Sequence, residues 1–431
     1  MLDQRPTAGP APGASHTPDP GRGERPKVSI LVSDLSRQGA GRWGGGVRPF
    51  LLARALQRAG YAVEMVGFSA VGEAGDKPRF ESGSAPAASW ARSTTDIPIH
   101  TIPLTTPAPG LRAVDKLFRH LSGDIVYAYK LKPRSFGLAL LHRQIARPRR
   151  PLLLDIDDWE LSWHGGDNYR YRPKPRQLAR ELLKPEGALR HPDHPLYLRW
   201  LERLVTQADL ITTHNDFLQQ RFGGVKIPNG KDTELFNPDR YNAEASRAAY
   251  GLSGYRVLMF PGAPRPYKGV EDLLTAMDRL NQPDLKLVIV GGSPYDDYDR
   301  TLRDRWPQHI IYLDKQPYGA MPRVIAAAHV VVVPQRQTPA AQAQFPLKLT
   351  DGMAMAKPIL ATRVGDIPEI LGHTGYLAEP DSPEDLAANL QAIFADLPQA
   401  QSRGIRARER CCDRYSITAM AAQFDTLLAH L

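Results

Sequence analysis

Cysteine is nearly absent: the 431-residue chain has two, the adjacent Cys411 and Cys412. Neighbouring cysteines rarely pair, and two are too few for a disulfide framework, so a reducing, cytoplasmic setting is the expectation. No run of about 18 apolar residues occurs, so no transmembrane helix is expected. Residues 1–26 lack the apolar centre of a signal peptide and are rich in Pro, Gly, Ala and Ser, and so read as a disordered leader. No short-period repeat is visible. What is present is globular in character, with 42% hydrophobic and 23% charged residues. The length suits two domains of roughly 150–200 residues. The net charge is +9, and between Lys130 and Arg199 there are 15 Lys and Arg against 8 Asp and Glu. Such an excess fits a solvated face, a phosphate-bearing substrate or contact with an anionic membrane surface; a nucleic-acid partner is not expected.

The pattern is α/β. Lys27–Val32 reads as a buried parallel strand, followed by Gly39, Gly41, Gly44, Gly45 and Gly46, then a helix ending at Gly60 and a strand over Tyr61–Phe68. This strand–loop–helix–strand unit opens a doubly wound sheet. Further strands are expected over Ile97–Ile102, Asp124–Ala128, Pro151–Ile156 and Leu210–Thr213. The stretch from Ser162 to Pro195, with Trp163, Tyr169, Tyr171 and many cations, reads as an insertion or mobile loop. A polar link then runs to about Gly254. A second series starts at Tyr255, with strands over Arg256–Phe260, Leu285–Val290, Ile310–Leu313, Val330–Val333 and Pro358–Thr362. Two Rossmann-like domains, residues 27–236 and 255–412, are therefore expected to face each other across a cleft. A last helix within 413–431 is expected to pack back toward the first domain.

Three places carry candidate chemistry. Gly262 ends a strand, and Lys268-Gly269 follows at a helix start, with Arg265 between. A cation beside free backbone N–H groups makes an anion site, although ordinary surface cations would look the same. Gln344-Phe345-Pro346-Leu347-Lys348 opens a second helix, whose N-terminus is a natural seat for a diphosphate. Asp351, one turn in, is placed to accept from ribose hydroxyls or merely to complement the helix dipole. In the first domain, Asp155, Asp157, Asp158 and Glu160 cluster at a strand end. Asp157 is a candidate for orienting an acceptor hydroxyl, with helix capping or pairing to arginines as the plain alternative. His214 follows a strand and is a weaker candidate. No metal site is expected, because the cation and helix N-terminus would take the metal's place.

The ordered set of these segments resembles the family 4 retaining glycosyltransferases, which have the GT-B fold. That family reads Gly-Arg-Leu, three residues, Lys-Gly; then Glu, seven residues, Glu-Ala-Met-Ala; then Gly-x-Pro-Val-Val-Ala-Thr and Gly-Gly-x-x-Glu. Here stand Gly262 with Lys268-Gly269, Phe345 to Ala356, Lys357-Pro358-Ile359-Leu360-Ala361-Thr362 and Gly365-Asp366-Ile367-Pro368-Glu369. Ala208-Asp209 and Pro228-Asn229-Gly230-Lys231-Asp232, with Phe236 and Pro238, match the family's first-domain signature. The resemblance implies a metal-free glycosyltransferase using a nucleotide-sugar co-substrate and no other cofactor, a UDP-sugar by prevalence, with a small-molecule, glycan or lipid-linked acceptor. It implies Lys268, Arg265 and Asp157 as catalytic groups, and Gly45, Gly46, Gly262, Phe345, Pro346, Leu347, Lys348 and Asp351 at the donor. Two departures stand out. Ala343 occupies the first Glu of the family's pair, and Asp157-Asp158 the usual His-Asp or His-Gly. A non-catalytic sugar-nucleotide or glycan binding module, or an epimerase of the nucleotide sugar, therefore stays open.

Overall fold

The computed structural model describes residues 25–35, 44–69, 97–104, 106, 108–184, 187–292 and 296–429. Residues 1–24 of the expected leader, and Gly39 and Gly41, lie outside them. Arg25 is already fastened, its guanidinium donating to Asp425 at 2.5 Å.

Two parallel sheets organise the chain. The first holds seven strands in the order β3-β2-β1-β4-β5-β6-β7: β1 Val28–Val32, β2 Val63–Ser69, β3 Ile99–Pro103, β4 Ile125–Tyr129, β5 Leu152–Ile156, β6 Leu210–Thr213 and β7 Val225–Lys226. The second holds six, β10-β9-β8-β11-β12-β13: β8 Arg256–Pro261, β9 Leu285–Val290, β10 Ile310–Leu313, β11 Val330–Val333, β12 Ile359–Thr362 and β13 Tyr376–Ala378. Central strands such as VSILV and VVVV are buried along their whole length, because helices cover both sheet faces. The strand order reverses between β1 and β4 and again between β8 and β11. At such a switch point the loops at the carboxyl ends diverge and leave a crevice. Both crevices open onto one interdomain cleft.

The two domains are also joined by the chain's end. The helix Leu397–Tyr415 packs in the second domain, with Ala407, Cys411 and Tyr415 in its core. It runs through residue 412, so the break comes at Ser416, whose Oγ accepts from the Ala419 N–H at 3.1 Å. The helix Ile417–Leu428 then buries Ile417, Met420, Ala421 and Phe424 in the first-domain core beside the helix Gly44–Arg58.

Two segments are more ordered than the sequence indicates. Within the expected loop 162–195, Pro175–Leu183 is a helix; Pro175 sits at its first turn, where its missing N–H costs nothing. Within the link to Gly254, Ala243–Ala249 is a helix, capped by Asn242 Oδ1 accepting from the Ala245 N–H at 2.9 Å.

Candidate active site

The interdomain cleft encloses about 1270 Å³ and is lined by loops of both domains. Its donor-side wall is built at the ends of β8 and β11. After β8 the chain turns at Gly262 (φ 134°) and reaches Lys268-Gly269. Gly269 has φ 66°, and a Cβ there would lie 1.7 Å from the Pro334 carbonyl oxygen. The loop is thus pressed against the end of β11, which fixes where Lys268 emerges. Lys268 Nζ donates to the Ala263 carbonyl at 2.8 Å. Burial, with Arg265 nearby, brings its pKa down to about 8. Arg265 lines the same cleft and pairs with Asp296 at 2.9 Å.

From the opposite side comes the helix Leu347–Ala354, whose N-terminus no side chain caps. Lys348 in its first turn lies over the Phe260 ring at 4.2 Å. Burial and the Lys268 charge push its ammonium well below the ordinary lysine range. Among the described residues neither Lys268 nor Lys348 forms an ion pair. Two desolvated cations and an uncapped helix end converge on one spot, which is the arrangement that binds an anion. Gly262, Phe345, Pro346, Leu347 and Asp351 also line the cleft. Gly45 and Gly46 fall in the first turn of the helix Gly44–Arg58, and Val47 from that helix reaches the cleft.

Asp351 has a partner that the sequence does not indicate. It is ion-paired to Lys231 of the Pro-Asn-Gly-Lys-Asp turn, so its carboxylate already has a cation. Lys231 is buried between the Phe236 and Tyr318 rings, at 3.2 and 5.1 Å from their centroids, and burial lowers its pKa. The sequence quotes Lys231 only as part of a turn. Its neighbour Asn229 accepts from Arg48 Nη1 at 2.8 Å, holding that turn to the first domain.

The carboxylates after β5 divide by role. Asp155 is wholly buried and grips Arg48 in a two-point contact of 2.7 and 2.8 Å; it is structural. Asp157, two residues on, projects from the same sheet end into the cleft. Its Oδ2 accepts from the Tyr129 hydroxyl at 2.5 Å, and its Oδ1 lies 3.4 Å from Lys130 Nζ. Asp158 accepts from Trp163 Nε1 at 3.1 Å. Burial pushes its carboxyl up to about 7 against the pull of Lys130, with Glu160 and Asp157 adding to the rise. Glu160 goes the other way: burial would raise it, but Lys130 and Lys132 hold it at about 2. Lys130 and Trp163 line the cleft as well, and the sequence marked them only as part of a basic, aromatic stretch.

His214 also lines the cleft. Burial, with Arg48 nearby, drives its pKa down to about 3, so the ring is neutral. Nε2 lies 3.2 Å from the Ala343 carbonyl oxygen and must donate to it, which leaves Nδ1 a lone-pair acceptor with no hydrogen-bond partner among the described residues. Ala343 itself packs into the first-domain core. A separate carboxylate trio, Asp216, Asp366 and Glu369, comes within 4.8 Å, but Lys226 Nζ already sits against it at 2.6, 3.5 and 2.7 Å.

Comparison with known proteins decides the kind of domain that carries the anion site. Residues 255–396 match the family model described as glycosyl transferases group 1. The second domain belongs to that family. The described residues have the GT-B fold: Anabaena HepE, crystallised with UDP and glucose, matches over 94% of this chain and all of its own with a TM-score of 0.68 at 18% identity. A Mycolicibacterium smegmatis protein, the GDP-mannose-dependent α-(1-6)-phosphatidylinositol monomannoside mannosyltransferase, is 26% identical over 53% of this chain and 64% of its own. The N-acetyl-α-D-glucosaminyl L-malate synthase of Bacillus anthracis is 27% identical over 70% of this chain and 74% of its own. The chain spans about half to two thirds of the length of the first curated relatives it matches.

Proposed function

We propose that this group 1 GT-B protein transfers a glycosyl group from a nucleoside diphosphate sugar to a hydroxyl acceptor, with retention and with neither metal nor further cofactor. The observation that carries the reading is the convergence of Lys268, Lys348 and the uncapped Leu347–Ala354 helix end in the cleft, opposite Asp157. The donor diphosphate binds there. When the bond from the anomeric carbon to the phosphate oxygen breaks, its electron pair goes to the phosphate, and fixed cations stabilise that charge without rearranging. The acceptor oxygen bonds to the anomeric carbon from the same face, and its proton passes to the departing phosphate oxygen. Asp157, held by Tyr129 and Lys130, accepts the hydrogen bond of the acceptor hydroxyl. The Lys231–Asp351 pair lies where the ribose is expected. The base is open between uracil, as in the HepE complex, and guanine, as in the mannosyltransferase named above. A peripheral setting at the inner face of the cytoplasmic membrane fits the basic first domain; no helix among the described residues is long and apolar enough to cross a membrane.

The test is a panel of UDP- and GDP-sugars with and without a chelator, followed by mass spectrometry and by NMR of the product's anomeric configuration. Release of free nucleotide with glycoside formation, unchanged by chelation, is the expected result. Ala343, in place of the family carboxylate, is the observation that favours a binding module instead; donor binding without turnover would establish that reading. Conversion of the donor with no free nucleotide would mark an epimerase.

A further inference from the structure

The helix Pro175–Leu183 has its polarity inverted. Its single buried residue is Glu181, 8% exposed, whereas Leu178, Leu182 and Leu183 are 37, 50 and 77% exposed. An amphipathic surface helix normally does the reverse. Glu181 is hydrogen-bonded within its own segment: Tyr171 donates to one carboxylate oxygen at 2.5 Å and Gln177 to the other at 2.7 Å. These bonds turn the polar face inward and the leucines outward. The helix rests on the turn Ala188–Arg190, and among the described residues the leucines stay partly to largely exposed.

Charge says what covers them. Arg172, Lys174, Arg176, Arg180 and Lys184 flank the leucines, and none forms an ion pair among the described residues. The helix that follows, Pro195–Glu202, carries further exposed apolar groups, Leu196 and Trp200; Tyr197 ties that helix back by donating to the Leu189 carbonyl at 2.5 Å. Exposed leucines and a tryptophan beside unpaired arginines and lysines match an anionic bilayer surface, where acyl chains take the apolar groups and headgroups the cations. A protein partner would need matching carboxylates around a pocket; a lipid surface needs none.

We propose that the 170–200 insertion is a membrane-docking element that seats the first domain on anionic lipid. Its root lies at the acceptor half of the cleft. Trp163 lines that cleft and contacts Tyr267 across it at 5.8 Å, and Arg199 holds the Tyr169 carbonyl at 2.7 Å. Docking here therefore brings the acceptor side of the cleft to the headgroup layer, where a lipid-borne acceptor is presented. That last step rests on the proposed transferase reading; the docking itself does not.

The experiment is flotation of the full chain with vesicles of pure phosphatidylcholine and of 70:30 phosphatidylcholine:phosphatidylglycerol, at about 0.1 and 0.5 M salt. Binding is expected only to the anionic vesicles and is expected to weaken at the higher salt. The exposed triple variant Leu178→Ser/Leu182→Ser/Leu183→Ser should bind at least roughly tenfold more weakly. Arg176→Gln/Arg180→Gln/Lys184→Gln should lose on the order of a hundredfold. Both variants should keep the wild-type melting temperature and donor turnover with a soluble acceptor. Equal vesicle binding by the wild type and the leucine variant would overturn the proposal. So would absence of vesicle binding, whether the face then proves to pair two copies by light scattering or to take a soluble protein. If docking holds but no nucleotide is released from any donor, the transferase reading fails alone.

Discussion

Replacing Lys268 by Met removes one charge while keeping most of the buried stem, so the fold should survive and the chemistry should not. Two unit charges about 4 Å apart at an effective dielectric near 20 interact by about 4 kcal/mol. If that attraction grows mainly as the phosphate departs, it corresponds to about a thousandfold in rate. Part of it is recovered. Lys348 is held below its ordinary range partly by the Lys268 charge, so removing Lys268 lets Lys348 keep its proton more firmly. The expected loss in kcat/KM is thus about 10² to 10³, with the melting temperature little changed. The pH dependence carries a second signature. In the free protein Lys268 titrates near 8, so its charge is present below that pH and lost above it, and kcat/KM for the donor should fall through an apparent pKa near 8. Lys268→Met should lack that limb. The assay is nucleotide release against donor concentration from pH 6.5 to 9.5. A loss below tenfold, or an unchanged alkaline limb in the variant, would refute the placement of Lys268 at the diphosphate.

Three further outcomes follow from the same geometry. Asp158 keeps its proton to about pH 7 in the fold, while the unfolded chain releases it near 4. Its stabilising share is therefore complete below 4 and lost as pH rises through 7, so Asp158→Asn should raise the unfolding free energy at pH 8 by roughly 2–4 kcal/mol, and not at pH 4; equal gains at both would contradict it. Gly269→Ala combines a positive φ with a clash at Pro334 and should lower stability by about 2 kcal/mol or more in urea unfolding, with donor affinity lost alongside. Arg48→Met strands the Asp155 carboxylate in the core and should cost about 3–5 kcal/mol in the same measurement, far above the effect of Arg58→Met, whose partner Glu234 is exposed.

Much of this was legible because the strands are locally encoded. Runs such as VSILV and VVVV are short and mostly apolar, with polar residues or proline at their ends, and they are buried along their whole length. The helix Pro175–Leu183 was not legible, because charge and proline around it read as loop, and its burial partner is one carboxylate rather than an apolar stripe. Lys231 stood in plain view within the Pro-Asn-Gly turn. Its pairing to Asp351, 120 positions away, depends on how the domains meet, which no local pattern records.

Ala343 shows the same limit from the other side. In the sequence it is an absence, the place where the family's carboxylate is missing. In the structure it is a contact. Its side chain is fully buried in the first-domain core, and its carbonyl receives the His214 N–H. A glutamate there would bring a charge into an apolar interface, with a heavy desolvation penalty. The small residue lets the first domain pack against this loop, where neutral His214 donates to its carbonyl. The departure that weakens the family analogy at Ala343 is the same feature that brings His214 into the cleft.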